Sequence, residues 1–256
     1  MSAATLERMV EDLRAALVAV AHGSPSERGD AAVVALVSEV TRRRPDLTVR
    51  IAYLNHAKPS VSEALVELAV EGVRRAVVLP LLLHTGYHAT TDIEKAVAEA
   101  AALAPDLEVQ RAGTLGPDRR LIGVVMTRLQ ESAVLPGTDA TVVLAAAGGS
   151  DQERINQVAM TADLMRADGQ YAAVEIGFVG GAEPALGETL ESLAARGVHN
   201  IAVVPYLLGD GFLTGVVRKM AEEAGAAIVT APLGSHPEVI DLIVDRHSGI
   251  AWADAS

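Results

Sequence analysis

The chain contains no cysteine. Thiolate nucleophiles, Cys-ligated zinc and Cys-ligated iron–sulfur clusters are therefore excluded, and any metal must be taken by His, Asp, Glu or neutral oxygen. The same absence fits a cytoplasmic protein. Aromatic residues make up only 3% of the chain, so a core has to be built from Ala, Val and Leu. No run approaches the ~18 uninterrupted apolar residues of a membrane span. Glu7, Arg8, Glu11, Asp12 and Arg14 interrupt the first residues with charge, against a signal-peptide core. No membrane partner is expected. Basic residues are scarce as well: 21 Lys and Arg stand against 33 Asp and Glu, a net charge of -12. General nucleic-acid binding needs clustered Lys and Arg, so no nucleic-acid partner is expected either. A G-x-x-x-x-G-K-[ST] phosphate loop is missing, as is G-x-G-x-x-G after the first strand, which argues against a nucleotide site.

What is present is a duplication. Half of the 256 residues are apolar, enough for one large domain or two ordinary ones. The segment VRIAYLNHAKPSVSEALVEL from Val49 resembles VEIGFVGGAEPALGETLESL from Val174, with Pro59 on Pro184 at an offset of 125. GVRRAVVLPLLLHTGYH from Gly72 falls on GVHNIAVVPYLLGDGFL from Gly197 at the same offset, with Pro80 on Pro205. LVAVAHGS matches VVLAAAGGS, with Ser24 on Ser150 and an offset of 126. TLGPDRRLI resembles PLGSHPEVI, with Gly116 on Gly234. Four blocks in one order imply two copies of a domain. The join is expected near Ser132 to Asp139, where Pro136 and Gly137 mark a loop. Domains are accordingly expected over 1–135 and 136–256.

Each copy alternates strand and helix. In the first, residues 17–21 predict a short strand, and Val33, Leu36, Val37 and Val40 a helix ending before Pro45. Residues 48–54 predict a second strand, and Ser60 with Glu63 has the spacing of a capping box. The apolar run 76–83 predicts a strand buried on both faces. A helix from about Thr91 to Pro105, a fourth strand over 107–112 and a helix from Asp118 complete the unit. Strict alternation implies a parallel four-stranded sheet flanked by helices in each half.

In open parallel sheets ligands bind beyond the carboxyl ends of the strands. The loops expected there carry His22, His56, His84 and His88, four of the seven histidines, and the repeat tests whether the fold needs them. His22 is replaced by Gly148, His56 by Gly181, His84 by Gly209 and His88 by Leu213, whereas Ser24, Pro59, Pro80 and Gly86 keep their identity as Ser150, Pro184, Pro205 and Gly211. The framework survives without imidazole, so the histidines of the first copy are candidates for function. His22 and His88 are the strongest of them. His199 and His236 lie outside the cluster and read as surface residues, and His247 shows no role.

HGS at His22–Ser24, followed about 60 residues on by TGYHATTDI at Thr85–Ile93, resembles the sirohydrochlorin chelatases, the class II, ATP-independent enzymes of siroheme and anaerobic cobalamin synthesis. The likeness extends through YLNHAKPS, VLPLLL and the degenerate second copy. It implies a chelatase-type α/β fold in each half, with a tetrapyrrole between the halves and His22 and His88 as metal ligands and proton acceptors. Many relatives have an acidic residue where this chain has Asn55. The implied reaction is insertion of Co²⁺, Fe²⁺ or Ni²⁺, as a substrate, into sirohydrochlorin, with no tightly bound cofactor.

Imidazole suits the implied task, since it binds these ions at intermediate affinity and titrates near neutral pH. The implied substrate carries eight carboxylates, so a local basic rim must offset the net negative charge. Candidates are Arg28, Lys58, Lys95 and Arg111, with the backbone N–H groups of the loops at Gly148 and Gly209. Ser24, Asn55, His84, Gly86 and Tyr87 are further candidates for contact with the macrocycle. The duplication would replace a homodimer of half-length chains, leaving a monomer. The alternative from another class is a metal-binding or delivery protein that uses the same histidines without catalysis.

Overall fold

The computed structural model describes residues 15–24, 27–84, 86–135, 137–226 and 228–252. The charged N-terminal residues discussed above, and Pro136 at the expected join, lie outside that set. The first half runs β1 (Ala16–Ala21), α1 (Glu27–Arg43), β2 (Val49–Tyr53), α2 (Val61–Val70), β3 (Arg75–Pro80), α3 (Tyr87–Leu103), β4 (Glu108–Arg111) and α4 (Arg119–Glu131). The second repeats it as β5 (Thr138–Ala147), α5 (Gln152–Ala167), β6 (Tyr171–Val179), α6 (Leu186–Ala195), β7 (Ile201–Tyr206), α7 (Phe212–Glu223), β8 (Ile228–Val229) and α8 (Pro237–Ser248).

Both sheets are parallel and four-stranded, ordered β2-β1-β3-β4 and β6-β5-β7-β8. The expected α/β class and strand number are therefore observed. Every residue of β1 is buried, because helices cover both faces of the sheet. Leu17 and Ala19 face one core with Leu36, Val37 and Val40 of α1. Val18 and Val20 face the other with Val61, Leu65 and Leu68 of α2 and Ile93 of α3. This alternation explains why β1 and β3 read as continuous apolar runs.

Local signals set most element ends. Ser60 and Glu63 form the expected capping box on α2: the Ser60 side chain accepts from Glu63 N–H, and Glu63 accepts from Ser60 N–H at 2.7 Å. Asp118 caps α4 by accepting from Arg120 N–H at 3.0 Å. Two boundaries differ from expectation. β3 stops at Pro80, and Leu81 and Leu83 leave the strand yet stay buried in the core shared by the two halves. Their apolarity reflects that burial rather than strand pairing. Helix α3 begins at Tyr87, not near Thr91, with Gly86 as its N-cap and no side-chain cap. Thr90 N–H already donates to Gly86 O at 3.0 Å, so Thr91, the expected start, lies inside the helix.

The halves exchange their last helices. α4 packs on β7 of the second sheet, and α8 packs on β3 and α1 of the first and on α4. One core cluster consequently runs from Leu17 and Leu79 through Leu121 and Val125 to Val142, Val204, Val239 and Ile243. Polar ties follow the same crossing. Arg128 donates to Pro232 O at 2.9 Å and to Leu233 O at 2.7 Å. Arg43 pairs with Asp241 at 2.6 Å, and Arg120 with Asp245 at 2.6 Å. His247, silent in the sequence, joins α8 to the start of β1 through Nε2 and Ala15 O at 2.9 Å. His236 is the N-cap of α8, with Nδ1 accepting from Glu238 N–H at 3.2 Å. No helix among the described residues is long and apolar enough to cross a membrane.

Candidate active site

Strand order 2-1-3-4 makes connections leave β1 and β3 in opposite directions, which opens a crevice at the carboxyl ends of these two strands. His22 follows β1 and His84 follows β3, so the topology brings both to that crevice. The loops are stitched together. Asn55 N–H donates to His22 O at 3.0 Å, and Gly23, at φ +87°, lies so close to Asn55 O that a side chain there would collide with it. Only glycine meets both demands comfortably. Next along the β2 loop, His56 sits at φ +65°, a left-handed conformation uncommon outside glycine, and its charge reaches His22.

His22 is accessible to solvent, yet its pKa lies below the usual 6.5. Desolvation by the surrounding protein is the main cause; His56 and Arg154 add to it, and Asp92 opposes it. His84 is half-buried and its pKa falls to about 4, again chiefly through burial, with Arg154 adding and Asp151 opposing. Both imidazoles are thus neutral at pH 7, with lone pairs available to a metal or a proton. His88 occupies the first turn of α3, two residues after Gly86, on the same loop-to-helix junction as His84.

The remaining candidates separate into groups. Ser24 lies half-buried in the crevice, and Asn55 is exposed beside His22. Gly86 is the buried N-cap of α3, and Tyr87 is its first residue. Arg28 is exposed in the first turn of α1. Lys58 is engaged by Glu63 at 2.5 Å, which holds that carboxyl down at about 2. Lys95 is exposed on α3, and Arg111 is exposed at the end of β4, one strand beyond the crevice. Among the described side chains, which do not include that of His88, no three His, Asp or Glu converge as a closed metal set.

A cavity of about 160 Å³ lies between the halves, lined by His22, Ser24, Val33, Leu81, Leu208 and Gly209. The second half closes it with glycine. A Cβ on Gly209, the repeat partner of His84, would fall 2.7 Å from the Ala32 Cβ of α1. A Cβ on Gly211, the partner of Gly86, would fall 3.1 Å from the Gly29 Cα. A histidine at 209 would therefore press on α1.

Sequence reasoning missed Arg154. It stands in α5 of the second half, and its charge reaches both His22 and His84. The available signal was the repeat itself, since Glu27-Arg28 recurs as Glu153-Arg154 at the offset of 126 that relates Ser24 to Ser150.

Comparison with known proteins places this geometry in context. The profile of the CbiX family matches residues 16–132 and, a second time, residues 141–249. A sirohydrochlorin ferrochelatase of Priestia megaterium is 27% identical over 213 residues, covering 83% of this chain and 80% of the relative. A sirohydrochlorin cobaltochelatase of the same organism is 27% identical over 180 residues, covering 69% of this chain and 58% of the relative. Among solved structures, SirB from Bacillus subtilis with Fe³⁺ superposes with a TM-score of 0.80 at 23% identity, covering 91% of this chain and 94% of that one.

Proposed function

The chain belongs to the CbiX family, and from that premise we propose that it is a sirohydrochlorin chelatase, inserting a divalent metal into the tetrapyrrole without ATP at one site in its N-terminal half. The observation that carries this reading is the asymmetry of the repeat at the crevice. Imidazole occupies the first copy at His22 and His84, and glycine occupies the equivalent places at Gly148 and Gly209. The relatives named for both ferrochelatase and cobaltochelatase activity make Fe²⁺ and Co²⁺ the leading metal substrates, with Ni²⁺ a third.

In this proposal His22 and His88 are the catalytic pair. Metal insertion requires an ion to shed water, enter the ring from one face and displace two N–H protons. Neutral His22 and His88 supply lone pairs to the incoming ion, and as the ring nitrogens take over the ion each imidazole, released from it, accepts one of the two ring protons and later passes it to water. Two strong protein donors without a closed set favour passing the ion on over keeping it. Ser24, Asn55, His84, Gly86 and Tyr87 are assigned to the macrocycle, and Arg28 to its carboxylates. Lys58 is assigned there too, where a substrate carboxylate would compete with Glu63. The active domain is residues 1–135 and the supporting domain 136–256. The chain works as a cytoplasmic monomer without a resident cofactor.

An anaerobic absorbance assay with sirohydrochlorin and Co²⁺ or Fe²⁺ tests the proposal. Wild type should accelerate the spectral shift to metallated product. His22→Ala and His88→Ala should each lose roughly 10²–10⁴ of that acceleration, the range for a positioned acid–base group. Metal binding through these histidines without acceleration by wild type would instead identify a delivery protein.

A further inference from the structure

Arg154 occupies a slot built from glycine. Its Nη1 donates to Gly148 O at 2.8 Å. A Cβ on Gly86 would lie 2.6 Å from Nη2, and one on Gly149 3.1 Å from Nη1. The guanidinium therefore sits between the loop after β5 and the loop after β3, one from each half. Its residue is half-buried, and Nε is buried without a hydrogen-bond partner among the described residues. No carboxylate of a described residue forms an ion pair with it, although the chain carries 33 acidic residues and its other arginines are widely paired. A half-buried cation without a counter-ion is costly, so a fold that keeps one has a use for it. Its twin in the first half, Arg28, is exposed in the first turn of α1, where the loop packed closely beside it carries Gly209 and Gly211. In the second half the loop after β7 is met instead by Arg218, which is already paired with Asp210 at 2.8 Å, so the guanidinium without a carboxylate partner among the described residues is the one directed at the loop that carries His84.

We propose that Arg154 is the substrate-positioning residue of the site: its guanidinium takes a peripheral carboxylate of the tetrapyrrole across the crevice and so sets the ring over the histidines. This rests on the chelatase reading for the identity of the ligand. The planar fork of Arg matches a carboxylate bidentately. Supply of the anchor by the second half also gives that half a part in a reaction whose imidazoles all lie in the first.

The test is fluorescence titration of metal-free sirohydrochlorin, run beside steady-state metallation, on wild type, Arg154→Gln and Arg154→Lys. Arg154→Gln should weaken tetrapyrrole binding and raise KM by roughly 10- to 100-fold, the range of one charge-assisted contact, with a much smaller change in kcat. Arg154→Lys should recover part of the loss. Co²⁺ binding by the protein without tetrapyrrole should not weaken in either variant. The octamethyl ester of the tetrapyrrole should bind wild type and Arg154→Gln equally. Unchanged affinity for the free acid in Arg154→Gln would overturn the proposal, as would parallel loss of Co²⁺ binding, which would mark a structural role. Wild type that binds the tetrapyrrole but fails to metallate it would sink the chelatase reading alone, since the binding titration still decides the role of Arg154.

Discussion

His84 shows how one side chain couples the crevice to the stability of the whole chain. Its pKa is about 4 in the folded protein, against 6.5 for an unperturbed imidazole. Above pH 6.5 both folded and unfolded forms are neutral at this residue, and it contributes no pH dependence. As pH falls from 6.5 toward 4 the unfolded chain takes up the proton first, so the folded state loses stability across that window and levels off below it. The loss approaches roughly 3 kcal/mol. Chemical denaturation of wild type and His84→Gln at pH 7 and pH 4.5 checks this: the difference in stability between the two pH values should be markedly smaller in the variant. His22 shares the direction of shift, so metallation should hold through neutrality and fall only at a pH below the ordinary imidazole range, where protonation removes its lone pair. A rate that rose steadily on acidification to pH 5 would contradict the assigned role.

Element ends are where sequence and structure can be compared most directly. Ser60→Ala removes the side-chain half of the α2 capping box and should cost about 1 kcal/mol, seen as a lower denaturant midpoint with unchanged kcat. That cap was legible because its two partners are three residues apart in the chain. The buried strands β1 and β3, the parallel order and the duplication were legible for similar reasons, through apolar runs and a constant offset. What escaped was information held between distant segments. The end of β3 was obscured because Leu81 and Leu83 remain apolar for burial at the join of the halves. The start of α3 was obscured because its N-cap is Gly86, which offers no side chain to recognise. His22 was legible as a strand-end residue with a glycine counterpart. Its neighbours Arg154 and Asp92, which act on its protonation in opposite directions, are brought to it by segments from both halves.

At the scale of the molecule the copies are alike in fold and unlike in what they leave open. Rebuilding the missing imidazole by Gly209→His should not create a second site. Its Cβ would press on Ala32, and the strain should cost about 1–3 kcal/mol; calorimetry should still give one Co²⁺ per chain. The cavity of about 160 Å³ is smaller than the ~300–1,000 Å³ of pockets that enclose a drug-sized ligand. A macrocycle must therefore bind with the halves further apart or with much of its edge in water. A crosslink between residues 32 and 209 introduced as cysteines should slow tetrapyrrole binding severalfold and recover on reduction; equal rates in both states would place the ring outside this gap. The exchange of α4 and α8 has a further consequence, for inheritance. A recombination joint near residue 135 would look harmless in the sequence, falling between two copies. It would nonetheless bring in a foreign α8 against β3 and α1, and leave the native α4 against a foreign β7. The copy without the crevice histidines is therefore held to its partner's sequence by shared packing, and the two halves are expected to have diverged as a matched pair.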